Sequence, residues 1–553
     1  MSNRDTEAAL RYHEQTKHSP YSVRVDQHYL DWSIQPRPFK LYEGLEPIQL
    51  HRDLIESESS LLSLLPRIQP EQPRSRPSLK DVAQLLFFSA GITKKKSYPG
   101  GEILFRAASC TGALYEIDLY LVCAELDGLA AGVYHFDPRD FCLYCLRPGD
   151  HRQIVASACA GKESAAAASL TVISTGTYWR NAWKYRARTY RHFGWDNGTL
   201  LANLLTMCTA RRLPAQLILG FLDGEINRLL DLDTDREVAL SIVGVGEGEE
   251  NLPAPPKVTP LGLRTLPLSE IEVDYPEMRK MHGCTLLESR QEAAEWRGDA
   301  PASVPPKKGK RIFDLDLDDF HSLSQESPER AIRSRGSSRS FTHKALSYKQ
   351  FSSLLHTCAQ GIPADFLGLP GSSINNWYLI VNSVEGLPAG SYFFHRQQGQ
   401  IELLKEGDFR GLAGHLGLGQ GLPKDASFNV FFLADLDSIL HRFGNRGYRA
   451  AQLEAGILGG KLYLAAYAQG LGATGLTFFD DEVIEFFSPH AEGESAIFIG
   501  MDMSRPDVAL AAAAVQQELE DPVGGGLEYS TLDSGFDPAK EQDNMDAAIS
   551  RNV

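Results

Sequence analysis

Two arginines and a serine alternate in the stretch RGSSRSF (335–341), and their spacing suggests an anion site. In an extended backbone, Arg335, Ser337 and Arg339 would face the same side. Two guanidinium groups and a hydroxyl on one side suit a phosphate monoester, because arginine offers forked donors of fixed geometry. The same residue types also occur in ordinary solvated basic stretches, so that alternative stays open.

A second candidate lies in AQGLGATGL (468–476), after a long apolar run. Gly470, Gly472 and Gly475 allow positive φ and close backbone approach, which would expose amides to a ring or a phosphate. The helix precedes the strand here, which is the reverse of the dinucleotide-binding fingerprint. The alternative is a helix C-cap that leads into a strand.

A lysine and a tyrosine adjoin at the start of KYRARTYR (184–191). Lys184 and Tyr185 could form a proton donor and acceptor pair, since an ammonium lowers the pKa of a neighbouring phenol. The alternative is a surface lysine beside a packed tyrosine. In the same half, Ser109, Cys110 and Thr111 form a small polar loop within RAASCTGALYE (106–116).

These candidates are distributed over two copies of one repeat. At an offset of 258 positions, the matches are GLAAGVYHF (128–136) with GLPAGSYFF (386–394), Tyr190-Arg191 with Tyr448-Arg449, and Gly198 with Gly456. The offset slips by one between FLDGEINRLL (221–230) and FFDDEVIEFF (478–487). A register held over this length predicts a true internal duplication.

Each copy predicts the same order of elements. A helix (78–92, 347–362) precedes a strand (117–126, 376–384). After them come a turn, a tyrosine-bearing strand, a helical stretch, another strand, a long apolar helix, a short helix and a last strand. This mixture predicts an α+β sandwich. The expected organisation is an N-terminal extension (1–75), a first domain (76–250), a connector (251–330), a second domain (331–507) and a partly disordered tail (508–553).

Composition narrows the function classes. The 553 residues carry a formal net charge of −16, which argues against general binding to a phosphate backbone. The sequence has neither an apolar run that could span a bilayer nor a signal-peptide core, so a cytoplasmic protein is expected. Of the eight cysteines, only Cys142 and Cys145 form a CxxC, in a strand-like run that favours packing over metal binding.

The two copies differ where the candidate chemistry lies. Gly470 and Gly472 correspond to Arg212 and Pro214, and the stretch before the first helix, PRIQPEQPRSRP (66–77), has no clean R-x-S-x-R. Conversely, Arg442 and Phe443 stand in the second copy where the first has its lysine and tyrosine. The copies therefore look complementary, as expected if equal subunits of a two-fold dimer were fused and each lost half of its duties.

The sequence resembles the flavin-dependent nitroreductase family, and within it most closely the SagB-type dehydrogenases, which are thiazoline/oxazoline oxidases of azole-containing peptides. The R-x-S-x-R of the second copy is similar to the family's flavin-phosphate motif, GSSINNW (371–377) to its P-S-S-x-N-x-Q-P-W loop, and GLGATG to its glycine turn. KYRARTYR is similar to the branch's Lys-Tyr-Gly…Arg-Gly-Tyr-Arg run, with Arg186 and Thr189 in place of its glycines.

The resemblance implies two tandem nitroreductase-like domains in an intramolecular pseudo-dimer that binds one FMN. It implies that Lys184 and Tyr185 are the catalytic pair and that the flavin, which carries the hydride, is held by the following set: Arg335, Ser337, Arg339, Gly470, Gly472 and Arg505, with Ser109 and Thr111 from the other copy. No metal is implied.

The implied substrate is an azoline or a similar peptide-derived molecule, and cyclases of a biosynthetic complex are the implied partners. Two alternatives remain. One is an NAD(P)H-dependent reductase of nitro compounds, quinones or alkenes. The other is a non-catalytic scaffold in a peptide-maturation complex. Nucleic acid and membrane are not expected partners.

Overall fold

The structure is a computed structural model of the 553-residue chain. It describes residues 2–25, 28–74, 76–98, 101–161, 168–247, 251–299, 311–368 and 372–506. The expected tail (508–553) and Gly371 lie outside these ranges. Among the described residues, none of the helices combines the length and apolar character that crossing a bilayer requires.

Each copy of the repeat builds one seven-stranded antiparallel sheet, and the strand order is the same in both. The first sheet runs β1 (Pro47–Gln49), β6 (Cys142–Pro148), β5 (Gly132–Asp137), β4 (Ile117–Cys123), β7 (Leu170–Thr177), β9 (Glu237–Val245) and β8 (Ala215–Ile218). The second runs β10 (Ile312–Asp314), β13 (Gln400–Glu406), β12 (Gly390–His395), β11 (Asn376–Val381), β14 (Phe428–Ala434), β16 (Ser495–Ser504) and β15 (Gly472–Leu476). A separate hairpin pairs β2 (Ile92–Tyr98) with β3 (Gly101–Arg106).

Helices cover and connect the sheets. In chain order they are α1 (Glu7–Gln15), α2 (Pro20–Val25), α3 (Leu61–Leu64), α4 (Leu79–Ala90), α5 (Arg152–Ala158), α6 (Tyr178–Tyr185), α7 (Thr189–Ala210), α8 (Asp223–Leu230), α9 (Pro276–Cys284), α10 (Arg290–Trp296), α11 (Pro328–Ser334), α12 (Tyr348–Ala359), α13 (Arg410–Leu416), α14 (Gly421–Asp425), α15 (Leu436–Phe443), α16 (Arg446–Ala468) and α17 (Asp480–Phe487). The α+β architecture and its internal repeat follow the expectation from sequence.

Capping explains where the first helix of each copy begins. Ser78 and Asp81 form a capping box at the start of α4, and Ser347 and Gln350 form one at the start of α12. Each pair satisfies backbone N–H groups that the first turn leaves without partners. The two serines therefore mark the equivalent start of the first helix in each copy.

The longest helices of the two copies, α7 and α16, pack against each other with nearly all residues buried. They cross at the duplicated glycines: a Cβ on Gly198 would lie 2.5 Å from the carbonyl carbon of Gly456. A side chain at either position would separate the helices, so both glycines are needed for this close approach. The duplicated residues thus meet each other across a pseudo-two-fold axis.

Two buried clusters of ion pairs join the copies reciprocally. In one, Asp480 of the second copy accepts from Arg191 of the first at 2.6 Å. In the other, Asp223 of the first copy accepts from Arg446 and Arg449 of the second at 2.6 and 2.9 Å. Although burial opposes it, these two guanidinium groups lower the pKa of Asp223 to about 2. Each copy therefore completes the charge balance of the other, as in a two-fold dimer.

Two short strands lie outside the repeat domains that the sequence predicts. Strand β1 comes from the N-terminal extension and β10 from the connector, yet each forms the edge of a sheet. With three residues each, they are too short for an alternating pattern to be recognised. The connector also contains helices α9 and α10, which its proline-rich ends do not indicate.

Candidate functional site

Arg335 and Ser337 face the same side, as alternation predicts, and the residue they face is Tyr463 of α16. The Arg335 guanidinium lies 5.6 Å from the centroid of the Tyr463 ring, and the Ser337 hydroxyl lies 3.0 Å from its Oη. The same Oη accepts the Gly475 N–H at 2.8 Å. Tyr463 therefore links the arginine-serine segment to the glycine turn.

Arg335 also reaches into the first half of the chain. Its guanidinium donates to the backbone carbonyls of Ala107 at 3.0 Å and Arg106 at 3.3 Å. Both acceptors are neutral carbonyl groups, so these two hydrogen bonds do not neutralise the positive charge of the guanidinium group. The residues it contacts lead directly into the loop of Ser109 and Thr111, called the 106–112 loop below.

Of the predicted glycines, Gly470 has a positive φ of 66° and Gly472 does not. Gly472 begins strand β15, so it does not use the positive φ that glycine allows. Its glycine is needed for a close approach instead, since a Cβ would lie 2.2 Å from Oγ of Ser338. In the first copy Arg212 adopts a φ of 57°, so the left-handed turn persists there without glycine.

The remaining predicted phosphate ligands are Arg339, in the same segment, and Arg505, in a separate stretch of the chain. Arg339 is half-buried, whereas Arg505 is exposed just after strand β16. The Arg505 carbonyl accepts the Thr342 N–H at 2.9 Å, which ties the two stretches together. Arg335, Ser337, Arg339 and Arg505 thus belong to two joined stretches, called the phosphate surface below, and donors of these types suit a phosphate monoester.

A buried carboxyl group holds the 106–112 loop. Asp196 of α7 accepts from the backbone N–H and the hydroxyl of Thr111, each at 2.9 Å. The Thr199 hydroxyl donates to the Ser109 carbonyl at 2.7 Å. Burial, followed by the charge of Glu116, raises the pKa of Asp196 well above its ordinary value. The Thr111 hydroxyl thus donates to Asp196, the residue that holds the loop against α7.

The second copy repeats this support with a different partner. At the equivalent position of α16, Glu454 accepts from the N–H groups of Ile374 and Asn375 at 2.9 and 3.0 Å. Asn375 precedes β11 as Glu116 precedes β4, so an amide stands where the first copy has an acid. The first copy therefore gathers Cys110, Glu116 and Asp196 within 4.8 Å of one another.

Lys184 and Tyr185 end helix α6, and Tyr185 contacts the 106–112 loop. The Lys184 ammonium lies 5.2 Å from the centroid of the Tyr185 ring. A Cβ at Gly112, which has a φ of 62°, would lie 2.9 Å from the Tyr185 hydroxyl oxygen. One loop thus contacts Arg335 through its first residues and Tyr185 through its last, which brings the two halves of the predicted site together.

Contacts with the first copy and with the N-terminal extension fix both ends of helix α6. Arg180 pairs with Asp118 at 2.6 Å and donates to the Tyr115 carbonyl at 2.9 Å. Near the other end, the Trp183 indole donates to the Asp31 carbonyl at 2.9 Å, and Trp32 packs edge-on against it. The N-terminal extension therefore covers the helix that carries the predicted catalytic pair.

The residue after Tyr185 has a strained backbone. Arg186 adopts φ 49° and ψ −136°, a region that favours glycine. Its counterpart in the second copy, Gly444, has φ 64° and ψ −163°. The first copy therefore keeps a glycine-type turn next to its lysine and tyrosine although the glycine itself is absent.

The counterpart of the phosphate surface in the first copy is closed. Its cavity measures about 20 Å³ and is lined in part by Ile68, Pro70, Leu205 and Ala215. A segment of the second copy fills the neighbouring space: the Leu217 N–H donates to the Pro363 carbonyl at 2.7 Å. Sites for organic ligands usually measure hundreds of Å³, so this one is too small for a flavin.

The counterpart of the lysine and tyrosine is covered as well. Helix α10 lays Trp296 on Phe443, with ring centroids 5.1 Å apart, and the indole donates to the Phe443 carbonyl at 2.7 Å. Arg442 donates to the Arg297 carbonyl at 2.6 Å. The connector between the copies thus covers the positions that correspond to Lys184 and Tyr185, which are themselves half-buried in the first copy.

Sequence reasoning missed two residues that organise the site. Tyr463 lies in an apolar run that reads as helix core, and only its contrast with Leu205, 258 positions earlier, distinguishes it. Asp196 had a detectable signal, because Glu454 repeats its acidic type at the same offset. A comparison of the two copies at this offset would therefore have identified Asp196.

Comparison with known proteins finds a family that is similar to the second copy and a curated relative that is similar to part of the chain. Residues 332–493 match the model described as Nitroreductase family. Over this segment the chain is similar to the nitroreductase family. The curated protein "Putative nitroreductase MJ1384" of Methanocaldococcus jannaschii is 23% identical over 169 residues, which are 31% of this chain and 80% of that protein.

The nitroreductase fold extends over both copies. The crystal structure of a "putative nitroreductase" from Anabaena variabilis covers 90% of this chain and 99% of its own, with a TM-score of 0.70 and 25% identity. The E. coli microcin synthetase McbBCD complex with truncated pro-MccB17 matches with a TM-score of 0.28 and 16% identity over 44% of this chain and 94% of that chain. A likeness of that size has no bearing on fold or activity.

Proposed function

We propose that the chain is an FMN-dependent oxidoreductase with one composite flavin site, of the SagB type, that oxidises azolines or similar peptide-derived rings. The observation that carries the composite site is the 106–112 loop, which contacts Arg335 of the second copy and Tyr185 of the first. The nitroreductase-family match supports the flavin, and the Lys-Tyr motif supports the azoline branch.

The donors of the second copy fit an FMN phosphate. Arg335, Ser337, Arg339 and Arg505 would hold the phosphate, because forked charged donors and a hydroxyl satisfy its oxygens. Gly470 would let the backbone approach the cofactor, and Ser109 and Thr111 would close the site from the first copy. FMN, when bound, supplies the hydride-accepting chemistry.

The residues of the first copy would handle the proton. In this proposal Tyr185, next to the Lys184 ammonium, would accept a proton from a ring carbon of the substrate. The turn at Gly112 would keep the phenol oriented toward the site. Arg180 and Asp118, through helix α6, would fix the distance between this pair and the loop.

The test combines flavin content with turnover of a dipeptide that contains a thiazoline ring. The purified protein is expected to release one FMN per chain on denaturation and to oxidise the thiazoline with oxygen as acceptor. Lys184→Ala and Tyr185→Phe should keep the flavin and lose activity by at least ~100-fold, the upper part of the usual range for a general base. A colourless protein would instead favour the scaffold alternative.

A reductase is the second candidate, because the relatives found by comparison are named nitroreductases. Such an enzyme should bleach its flavin with NADPH and pass the electrons to a nitroarene or a quinone. The azoline oxidase should do neither at a comparable rate. Rapid bleaching that is unchanged in Lys184→Ala would exclude the proposed role of the lysine and favour the reductase.

A further inference from the structure

A buried polar cluster lies behind Tyr185 and has no part in the function described so far. It consists of Asn181, Thr189 and His192, called the His192 cluster below. The His192 ring packs edge-to-face against the Tyr185 ring, with centroids 4.6 Å apart and planes at 83°. The phenol is therefore in contact with the imidazole, the Lys184 ammonium and the turn at Gly112.

Hydrogen bonds define the tautomer of the imidazole. His192 Nδ1 lies 2.8 Å from Oδ1 of Asn181, and the Thr189 hydroxyl donates to the same oxygen at 2.9 Å. A carbonyl oxygen can only accept, so Nδ1 carries the proton and Nε2 does not. The amide thus holds the ring in one orientation as well as in one tautomer.

The surroundings keep the imidazole neutral. Burial first, and then the charges of Arg188, His18, Arg191 and Lys184, lower the pKa of His192 well below its ordinary value. These groups come from the turn before α7, the N-terminal extension, α7 itself and α6. A neutral ring next to Tyr185 adds no further positive charge beside the Lys184 ammonium.

The His192 cluster lowers the stability of the fold. Asn181 is fully buried, and its Nδ2 has no hydrogen-bond partner among the described residues. A buried donor without a partner costs about 1–3 kcal/mol. An apolar residue would avoid that cost, so packing alone does not account for asparagine at this position.

The second copy supplies the comparison. Its residues 258 positions later are Ile439 for Asn181 and Ala450 for His192, and Tyr185 becomes Phe443. The flanking residues Tyr190 and Arg191 are kept as Tyr448 and Arg449. The amide and the imidazole are therefore present in the copy that has the phenol and absent in the copy that lacks it.

We propose that His192, oriented by Asn181, is a positioning residue that keeps the Tyr185 phenol between the Lys184 ammonium and the turn at Gly112. This role rests on the proposed function of Tyr185 and deepens it. Without the imidazole, the phenol gains room to turn away from the ammonium and from the substrate. Small displacements of a reacting group of this kind lower rates by as much as ~100-fold.

The experiment uses His192→Ala and Asn181→Ile, which introduce residues of the second copy. His192→Ala should lower kcat for the thiazoline dipeptide at least ~10-fold, with KM and flavin content nearly unchanged. The midpoint of the Tyr185 phenolate titration, read from ultraviolet difference spectra against Tyr185→Phe, should rise as the phenol turns away from the Lys184 ammonium. Asn181→Ile should shift both values less, without lowering the free energy of unfolding.

A conservative variant and a matched control sharpen the result. His192→Phe restores an aromatic ring at the edge-to-face contact and should recover most of kcat. His282→Ala removes another buried imidazole that packs edge-on against a tyrosine, Tyr190, and should leave kcat and the titration as in the parent protein.

Two outcomes would overturn the proposal. One is an unchanged phenolate midpoint in His192→Ala. The other is a His192→Phe variant as inactive as His192→Ala, because the imidazole would then act through its nitrogen. The phenolate titration needs no substrate. If the parent protein does not oxidise the thiazoline, the proposed function fails while the positioning role is still tested.

Discussion

The segments that precede helices α12 and α4 occupy equivalent places in the two copies but present different side chains. Aligned on the N-cap residues Ser347 and Ser78, the positions of Arg335, Ser337 and Arg339 are taken in the first copy by the following: Pro66, Ile68 and Pro70. Every phosphate donor of one segment is thus an apolar or cyclic residue in the other. The difference removes charge and hydrogen-bonding capacity together.

The helices that face these two segments also differ in their polar side chains. Tyr463, which joins the arginine-serine segment to the glycine turn, corresponds to Leu205 at the wall of the closed cavity. Lys184 and Tyr185 correspond to Arg442 and Phe443, which the connector covers through Trp296. The proposed composite site keeps its donors and its phenol, whereas the connector and a segment of the second copy occupy its counterpart.

The contacts between the copies have not diverged in this way. The glycine crossing and the buried ion pairs are reciprocal, with the same residue types on both sides of the axis. In a homodimer each substitution acts on both sites at once, whereas in a fused chain each site can change alone. Fusion therefore explains why the sites differ while the glycine crossing and the buried ion pairs are kept.

The largest expected effect tests the symmetry of the interface. Asp223→Asn and Asp480→Asn should each lower the free energy of unfolding by about 3–5 kcal/mol, because each leaves buried guanidinium groups without their counter-charge. Chemical denaturation measures both values. Glu406→Gln, which breaks the exposed pair with Arg311, is the control and should cost less than ~1 kcal/mol. Strongly unequal losses for the two aspartates would break the symmetry.

The pH dependence of the same pair has a definite sign. Because the pKa of Asp223 in the folded state is lowered to about 2, its contribution is complete above the ordinary value near 3.8 and is lost as the pH falls toward 2. The shift corresponds to roughly 2 kcal/mol. Asp223→Asn should lack this part of the acid transition, and an identical acid profile in parent and variant would contradict the assignment.

A middle-sized effect tests the difference between the two phosphate segments. Arg335→Ala should weaken FMN binding by about 10–100-fold, since a hydrogen bond to a charged group contributes about 1.5–3 kcal/mol. Arg67→Ala is the matched control: Arg67 lines the closed cavity and also donates to a backbone carbonyl, that of Ser63, at 2.8 Å. Its flavin content should be unchanged.

Fluorescence of released FMN, titrated against the protein with its flavin removed, gives both affinities. A loss of flavin in Arg67→Ala, or two FMN per chain in the parent protein, would show that the first copy still binds the cofactor. Either result would remove the asymmetry on which the single composite site depends.

The repeat made most of the fold predictable. Its register placed the first helices to within a few residues of Leu79–Ala90 and Tyr348–Ala359, and the capping serines are visible in the sequence. The contacts that assemble the site were out of reach, because they join residues far apart in the chain. Arg335 and Ala107 are separated by 228 positions, and no local pattern specifies that they meet.

The roles of two buried aromatic residues could also not be predicted from the sequence. Tyr463 reads as a core residue within ILGGKLYLAAYAQ, since only the packing of α16 shows which of its neighbours are polar. Trp296 lies in a stretch expected to be a connector, and its contact with Phe443 depends on where α10 is placed in space. Residue type predicts burial in both cases, but not what the buried residue holds or covers.

The smallest effect concerns the turn after Tyr185, where the comparison between the copies is reversed. The second copy has glycine in the left-handed turn, Gly444, and the first has Arg186 at a φ of 49°. A residue with a Cβ in this region costs about 1–3 kcal/mol, part of which glycine gives back through the entropy of the unfolded chain. Arg186→Gly should therefore be more stable than Arg186→Ala by about 1 kcal/mol.

The alanine variant is the reference because it removes the arginine side chain and keeps the Cβ, so the difference between the two variants reports the backbone alone. Chemical denaturation at one pH measures it. Equal stability of Arg186→Gly and Arg186→Ala would mean that the turn relaxes in solution. If the glycine variant is more stable but turns over substrate more slowly, the strained turn contributes to holding Lys184 and Tyr185 against the 106–112 loop, and stability has been exchanged for position at the proposed site.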